Sequence, residues 1–309
     1  MFATIFTSLL PIAFILILGY FAGFRKDFAK DQAAILNKMV MLYALPLYLF
    51  SSIVTTSVSE ILAQKDLLLG LFTSMIGFFF VVYLLARYVF KQSIKFSALI
   101  SIAISGPAIP FVGLPVLSSL YGTLGTIPVG VGSIYLNLFL VPFTVILMNQ
   151  DNSNSSSKST FITNIVTALK EPVVWAPILG VCFVLMEIKL PIALIDSFAL
   201  LGKASGGVGL FTSGLILYSY TVTFTKTVWV LIFSKNILVP FGAWGIALLF
   251  NFSPSTVKEI VITMSIPTAS ISMMLAIQYD VEQRIISSTL FLGSILSILT
   301  MGLFIFLLS

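Results

Sequence analysis

The chain has 309 residues, of which 59% are hydrophobic and only 9% charged, with a mean hydropathy of +1.12. Soluble globular domains carry about a quarter charged residues, so an ordinary soluble fold is excluded. The formal net charge of +5 comes with no histidine and with one cysteine, Cys182, which leaves no internal disulfide, no Cys or His metal cluster and no cofactor motif; the cations are scattered and form no nucleic-acid-binding stripe.

Apolar runs between polar punctuation predict ten membrane spans, near residues 4–24, 33–54, 67–90, 96–119, 126–148, 172–188, 194–218, 227–250, 256–279 and 285–308. Each approaches the roughly 20 residues that cross about 30 Å of hydrocarbon. The runs are continuously apolar and do not alternate, which excludes a β-barrel and leaves α-helices. Span one is preceded by no Lys or Arg and followed by Arg25, Lys26 and Lys30, so it reads as a retained helix and not as a cleaved signal. The loops after spans one, three, five, seven and nine hold Arg25, Lys26, Lys30, Arg87, Lys91, Lys95, Lys158, Lys170, Lys226 and Arg284; the opposite loops hold only Lys65, Lys189 and Lys258. By the positive-inside rule the first set is cytoplasmic, which predicts a multi-pass inner (plasma) membrane protein with both termini extracytoplasmic.

Residues 149–160, NQDNSNSSSKST, have the composition of a flexible linker and fall between spans five and six. They divide the chain into a first five-helix repeat at 1–148, a polar cytoplasmic linker at 149–171 and a second repeat at 172–309. An odd number of spans per half forces the halves into opposite orientations, the inverted repeat of many secondary transporters.

Span four contains SGPAIPFVGLPV, residues 105–116, in which Pro107, Pro110 and Pro115 each remove an amide donor and clash with the preceding turn. Span nine contains MSIPTASIS, residues 264–272, with Pro267 among Ser265, Thr268, Ser270 and Ser272. Both spans should break near the midplane, and paired breaks are a transporter's signature, because freed amides and helix amino ends can hold an anion. Pro46 in span two, Pro142 in span five, Pro177 in span six and Pro240 in span eight should only kink them.

Lys235 lies between Ser234 and Asn236 inside span eight. A cation at helix centre costs about 2.5–3.5 kcal/mol, so it should face protein or a water-filled path. Asn236 and Asn137, in span five, could bond a ligand or a neighbouring helix, packing being the simpler role for Asn137. Lys38 and Lys203 read as interface anchors at span ends. Glu187, Asp196 and Asp280 also sit at span ends, so a carboxylate relay has no obvious members and the coupling ion, proton or sodium, is left open. Gly19 and Gly23 match GxxxG and are compatible with a homodimer. With no histidine, no metal cluster and no nucleophile beside a base, an enzyme is not expected.

Taken in order, LNKMVMLYALPLYLF (36–50), FVGLP (111–115), Lys235 followed by Pro240, and SIPTASISMMLAIQYDVEQRIISSTL (265–290) resemble the auxin efflux carrier family over nearly the whole chain. The resemblance implies ten helices in two inverted repeats, with spans four and nine broken and crossing, similar to bile-acid sodium symporters. Family members related to plant auxin carriers place an Asn-Gly element before the GxP of span four. Here GPAIP puts Ala108 near the asparagine's place, which points away from auxin-like monocarboxylates and towards the family's bacterial malate and malonate permeases. By resemblance the substrate-binding residues are Ser105, Gly106, Pro107, Ala108 and Pro110 with Pro267, Thr268, Ser270 and Ser272, joined by Lys235, Asn236 and Asn137. A dicarboxylate carried by alternating access is the resulting expectation; the alternatives are a metabolite-binding membrane sensor or channel-like protein, or a carrier of auxin-like monocarboxylates.

Overall fold

The computed structural model describes residues 10, 14–15, 17–28, 30–55, 58–59, 64–149, 170, 172–218 and 222–308. Most of the polar linker and the start of span one lie outside the described residues. Apart from one isolated bridge, the described residues are helical. In chain order the helices are α1 (Lys30–Met39), α2 (Leu45–Val54), α3 (Lys65–Leu84), α4 (Ile94–Ser105), α5 (Leu114–Tyr121), α6 (Thr126–Tyr135), α7 (Val141–Asn149), α8 (Pro172–Leu185), α9 (Ile192–Gly202), α10 (Ala204–Tyr218), α11 (Lys226–Phe233), α12 (Val239–Leu249), α13 (Pro254–Ser265), α14 (Ile271–Gln278) and α15 (Gln283–Leu307).

Several consecutive helices join through π turns into one rod. The turns Val40–Ala44, Ile109–Gly113, Leu136–Leu140 and Ser234–Leu238 are each followed, two residues on, by a proline: Pro46, Pro115, Pro142 and Pro240. The carbonyl four residues before each proline, where its ring would clash, falls inside the widened turn, which takes up the misfit. Single prolines thus bend the rods without ending them, and Pro177 sits inside α8.

Among the described residues, six helical stretches are long and apolar enough to cross a membrane: Gln32–Val54, Lys65–Val89, Phe111–Met148, Ile192–Tyr218, Lys226–Leu249 and Gln283–Leu307. The chain is a polytopic membrane protein on that ground. Phe111–Met148 is too long for one crossing and turns at Gly122–Gly125, where Gly122 has a φ of +62° that glycine adopts freely. Large apolar side chains face outward, among them Tyr88, Leu200, Leu249 and Leu299, each at least 70% exposed, as a lipid-facing belt requires.

Inside, α3 packs against α4 and α13, and α15 against α11 and α13, while α2 lies against α8 and α9. α10 packs on α1 and on the π turn Ile109–Gly113. That last contact depends on Gly209, where a Cβ would come within 2.5 Å of the Phe111 ring.

Candidate functional site

Two helices stop short, and the site is built where they stop. α4 starts from Ser93, whose hydroxyl accepts the Phe96 N–H at 3.2 Å, and α13 from Ser253, whose hydroxyl accepts the Thr256 N–H at 3.3 Å. Each runs 12 residues and ends on a serine, Ser105 or Ser265. Twelve residues rise about 18 Å, short of about 30 Å of hydrocarbon. Beyond each end the backbone turns extended, at Gly106 and at Ile266, and the two extended segments pair antiparallel at Pro107 and Thr268. Proline has no N–H to give, so the donors are its neighbours: Ala108 donates to the Pro267 carbonyl at 2.7 Å and Ala269 to the Gly106 carbonyl at 2.9 Å. Helix resumes at Ile109 on one strand and at Ile271 on the other.

Two carboxyl ends and two amino ends of helices therefore meet at one place. The carboxyl end of α13 is well satisfied: the Ser265 hydroxyl donates to Ile262 O at 2.7 Å, the Ile266 N–H to Thr263 O at 3.4 Å and the Lys235 ammonium to Met264 O at 3.3 Å. Lys235 is 1% exposed. Its charge is thus held against the negative end of a half-helix, in the favourable sense of the dipole.

The expected site residues divide by what their polar atoms already do. Gly106, Pro107, Ala108, Pro267 and Thr268 form the crossing itself, and Pro110 lies in the π turn that follows. Thr268 is 3% exposed and sits in the bridge itself. Ser105 donates to Ser101 O at 2.7 Å and Ser272 to Ala269 O at 2.8 Å, inside their own segments. The Ser270 carbonyl accepts from Met273 and Met274 at 3.0 and 3.2 Å, starting α14. Asn236 donates to Gly293 O of α15 at 2.9 Å, while its Oδ1 is buried without a partner. Asn137 donates to Ser133 O at 2.8 Å on its own helix, although Leu136 beside it packs on Gly106.

A cavity of about 220 Å³ opens between α5, α9 and α10, lined by Tyr48, Leu114, Pro115, Ser118, Lys203 and Gly206 among others. Leu114 and Pro115 come directly after the π turn Ile109–Gly113. Lys203 stands between α9 and α10, well inside the apolar stretch Ile192–Tyr218 and about 17 Å along it. It caps the end of α9, is exposed, and is flanked by the small residues Gly202, Ser205, Gly206 and Gly207. Glu259 escaped attention: it is half-buried on α13, within electrostatic reach of the Tyr121 phenol.

A family model described as a membrane transport protein matches residues 4–305. Among curated proteins, the uncharacterized transporter YfdV of Escherichia coli strain K12 is 31% identical over 97% of this chain and 96% of its own length. The uncharacterized transporter MJ1031 of Methanocaldococcus jannaschii is 24% identical over 95% of this chain and 96% of its own. The lysosomal cholesterol signaling protein of Mus musculus is 24% identical over 95% of this chain, which corresponds to 36% of that protein.

Proposed function

This chain belongs to the membrane transport protein family, the auxin efflux carrier-like family its motifs resemble, and on that premise we propose that it is a secondary active transporter of small organic anions. The observation that carries the reading is the antiparallel pairing of Gly106–Ala108 with Pro267–Ala269 between four helix ends. Helix amino ends attract anions, and Lys235 offsets one of the two opposing carboxyl ends. The balance at the crossing therefore favours negative charge.

In the proposed arrangement ten helices form two inverted repeats, 1–148 and 172–309, joined by a cytoplasmic linker at 149–171. The protein lies in the inner membrane with both termini extracytoplasmic. Substrate binds at the crossing of spans four and nine, on the residues named for it above, and is exposed to each side in turn as one group of helices moves against the other. The substrate class is a dicarboxylate such as malate or malonate. Uptake of labelled mono- and dicarboxylates into proteoliposomes, with proton and sodium gradients varied separately, tests the proposal. Saturable accumulation against a gradient supports it; non-saturating downhill flux overturns it.

A sensor is the second reading, and the likeness to a protein named for cholesterol signalling is what favours it. Tight binding of a metabolite without flux in the same vesicles would select it.

A further inference from the structure

We propose that the cavity between α5, α9 and α10 is the chamber in which a carboxylate is held, and that the Lys203 ammonium is its counter-charge. The inference rests on the transporter reading and assigns the charge recognition within it to a residue outside the crossing.

Lys203 and Lys235 both lie within apolar helical stretches, but their surroundings differ. Lys235 is fully enclosed and its ammonium is held by the Met264 carbonyl. Lys203 is exposed, and among the described residues no acidic side chain lines its cavity and no carboxylate pairs with it. A cation placed inside a membrane segment with no counter-ion is costly and calls for a partner brought from elsewhere. Ser118 lines the same cavity, and its hydroxyl is buried without a hydrogen-bond partner among the described residues, a donor that a small side-chain rotation would offer to a second oxygen.

The backbone fixes the cation there. A Cβ on Gly202 would lie 2.8 Å from Tyr48 Cα, so only glycine lets the chain approach Tyr48 this closely and present Lys203 to the cavity. Space is kept open on the next turn: a Cβ on Gly206 would meet only Pro115, at 3.9 Å, and one on Gly207 nothing within 4 Å. A volume of about 220 Å³ is below the range of about 300–1,000 Å³ that encloses drug-sized ligands. It suits a carboxylate of a few carbon atoms.

The test needs no knowledge of the substrate. In a Cys182→Ser background, Gly207→Cys places a reporter thiol at the cavity, and its modification by a negatively charged methanethiosulfonate is compared with that by a positively charged one. With Lys203 present the anionic reagent should be favoured, and Lys203→Gln should lower that preference by at least about tenfold, the low end of what a charge in a low-dielectric cleft supplies. Lys203→Arg should keep it. An unreactive Gly207→Cys in protein that still elutes as a single folded species, or a preference unchanged by Lys203→Gln, overturns the assignment. Carboxylate uptake into proteoliposomes is measured in parallel on the wild-type chain. Flux with an unchanged reagent preference sinks the Lys203 site alone, whereas a Lys203-dependent preference without flux sinks the transporter reading and leaves the site standing.

Discussion

The amide of Ala108 lies 2.7 Å from the carbonyl of Pro267, and with the Ala269 to Gly106 bond it ties together two helices that each stop at mid-course. Pro107 and Pro267 make the arrangement self-consistent, since neither can continue a helix through the crossing and neither needs an N–H partner there. Replacing both by alanine restores two donors and lets α4 and α13 propagate. We expect Pro107→Ala/Pro267→Ala to express and fold yet to lose uptake by about tenfold or more, an outcome read from proteoliposome flux beside a size-exclusion profile.

Lys235→Ala leaves the Met264 carbonyl unpaired inside the protein, which costs about 1–3 kcal/mol, and empties the volume of a long side chain as well. Lys235→Met refills the volume without the charge. Thermal unfolding in detergent should rank wild type above Met and Met above Ala. Uptake should fall in both variants if the charge on the end of α13 matters to the anion, and wild-type flux in Lys235→Met would remove the charge from the mechanism.

Gly202 and Gly207 are five positions apart and should respond in opposite ways. Gly202→Val drives a side chain into the Tyr48 backbone and should destabilise by about 1–3 kcal/mol, as overpacking does. Gly207→Ala meets nothing within 4 Å and gains helix propensity, so its unfolding temperature should be unchanged or slightly raised.

The crossing was legible because its halves repeat in sequence: Ser93, Ser105 and Pro107 recur at the same spacing as Ser253, Ser265 and Pro267. A serine cap, twelve helical residues and a stop two residues before a proline are written twice. Where helix resumes was not legible, since α14 waits until Ile271 because Thr268 and Ala269 are occupied in the bridge. Pro46, Pro142 and Pro240 announced kinks, but the π turns before them depend on backbone geometry that composition does not encode. The cavity that Lys203 lines was hidden behind its glycine and serine neighbours, whose purpose, close approach to Tyr48 and open space beside Pro115, appears only once the helices are packed. Glu259 was hidden by its nearness to the start of span nine and by Lys258 before it.

Thr268 and Ser105 are hydroxyl residues at the same crossing, and they should not respond alike. The Ser105 hydroxyl already donates to Ser101 O, so Ser105→Ala removes a bond within one helix turn and should leave the KM for transport within about twofold, in keeping with the small net worth of a local hydrogen bond. Thr268 is 3% exposed and lies in the bridge itself. An oxygen-bearing anion held at the crossing would accept from its hydroxyl. Thr268→Val preserves shape and removes only the hydroxyl, so it should raise KM by roughly three- to tenfold, the equivalent of one hydrogen bond of about 1 kcal/mol. Initial-rate uptake over a range of substrate concentrations separates the two. Equal KM values for Thr268→Val and Ser105→Ala would place the ligand away from Thr268 and leave the recognition to the backbone and to Lys203.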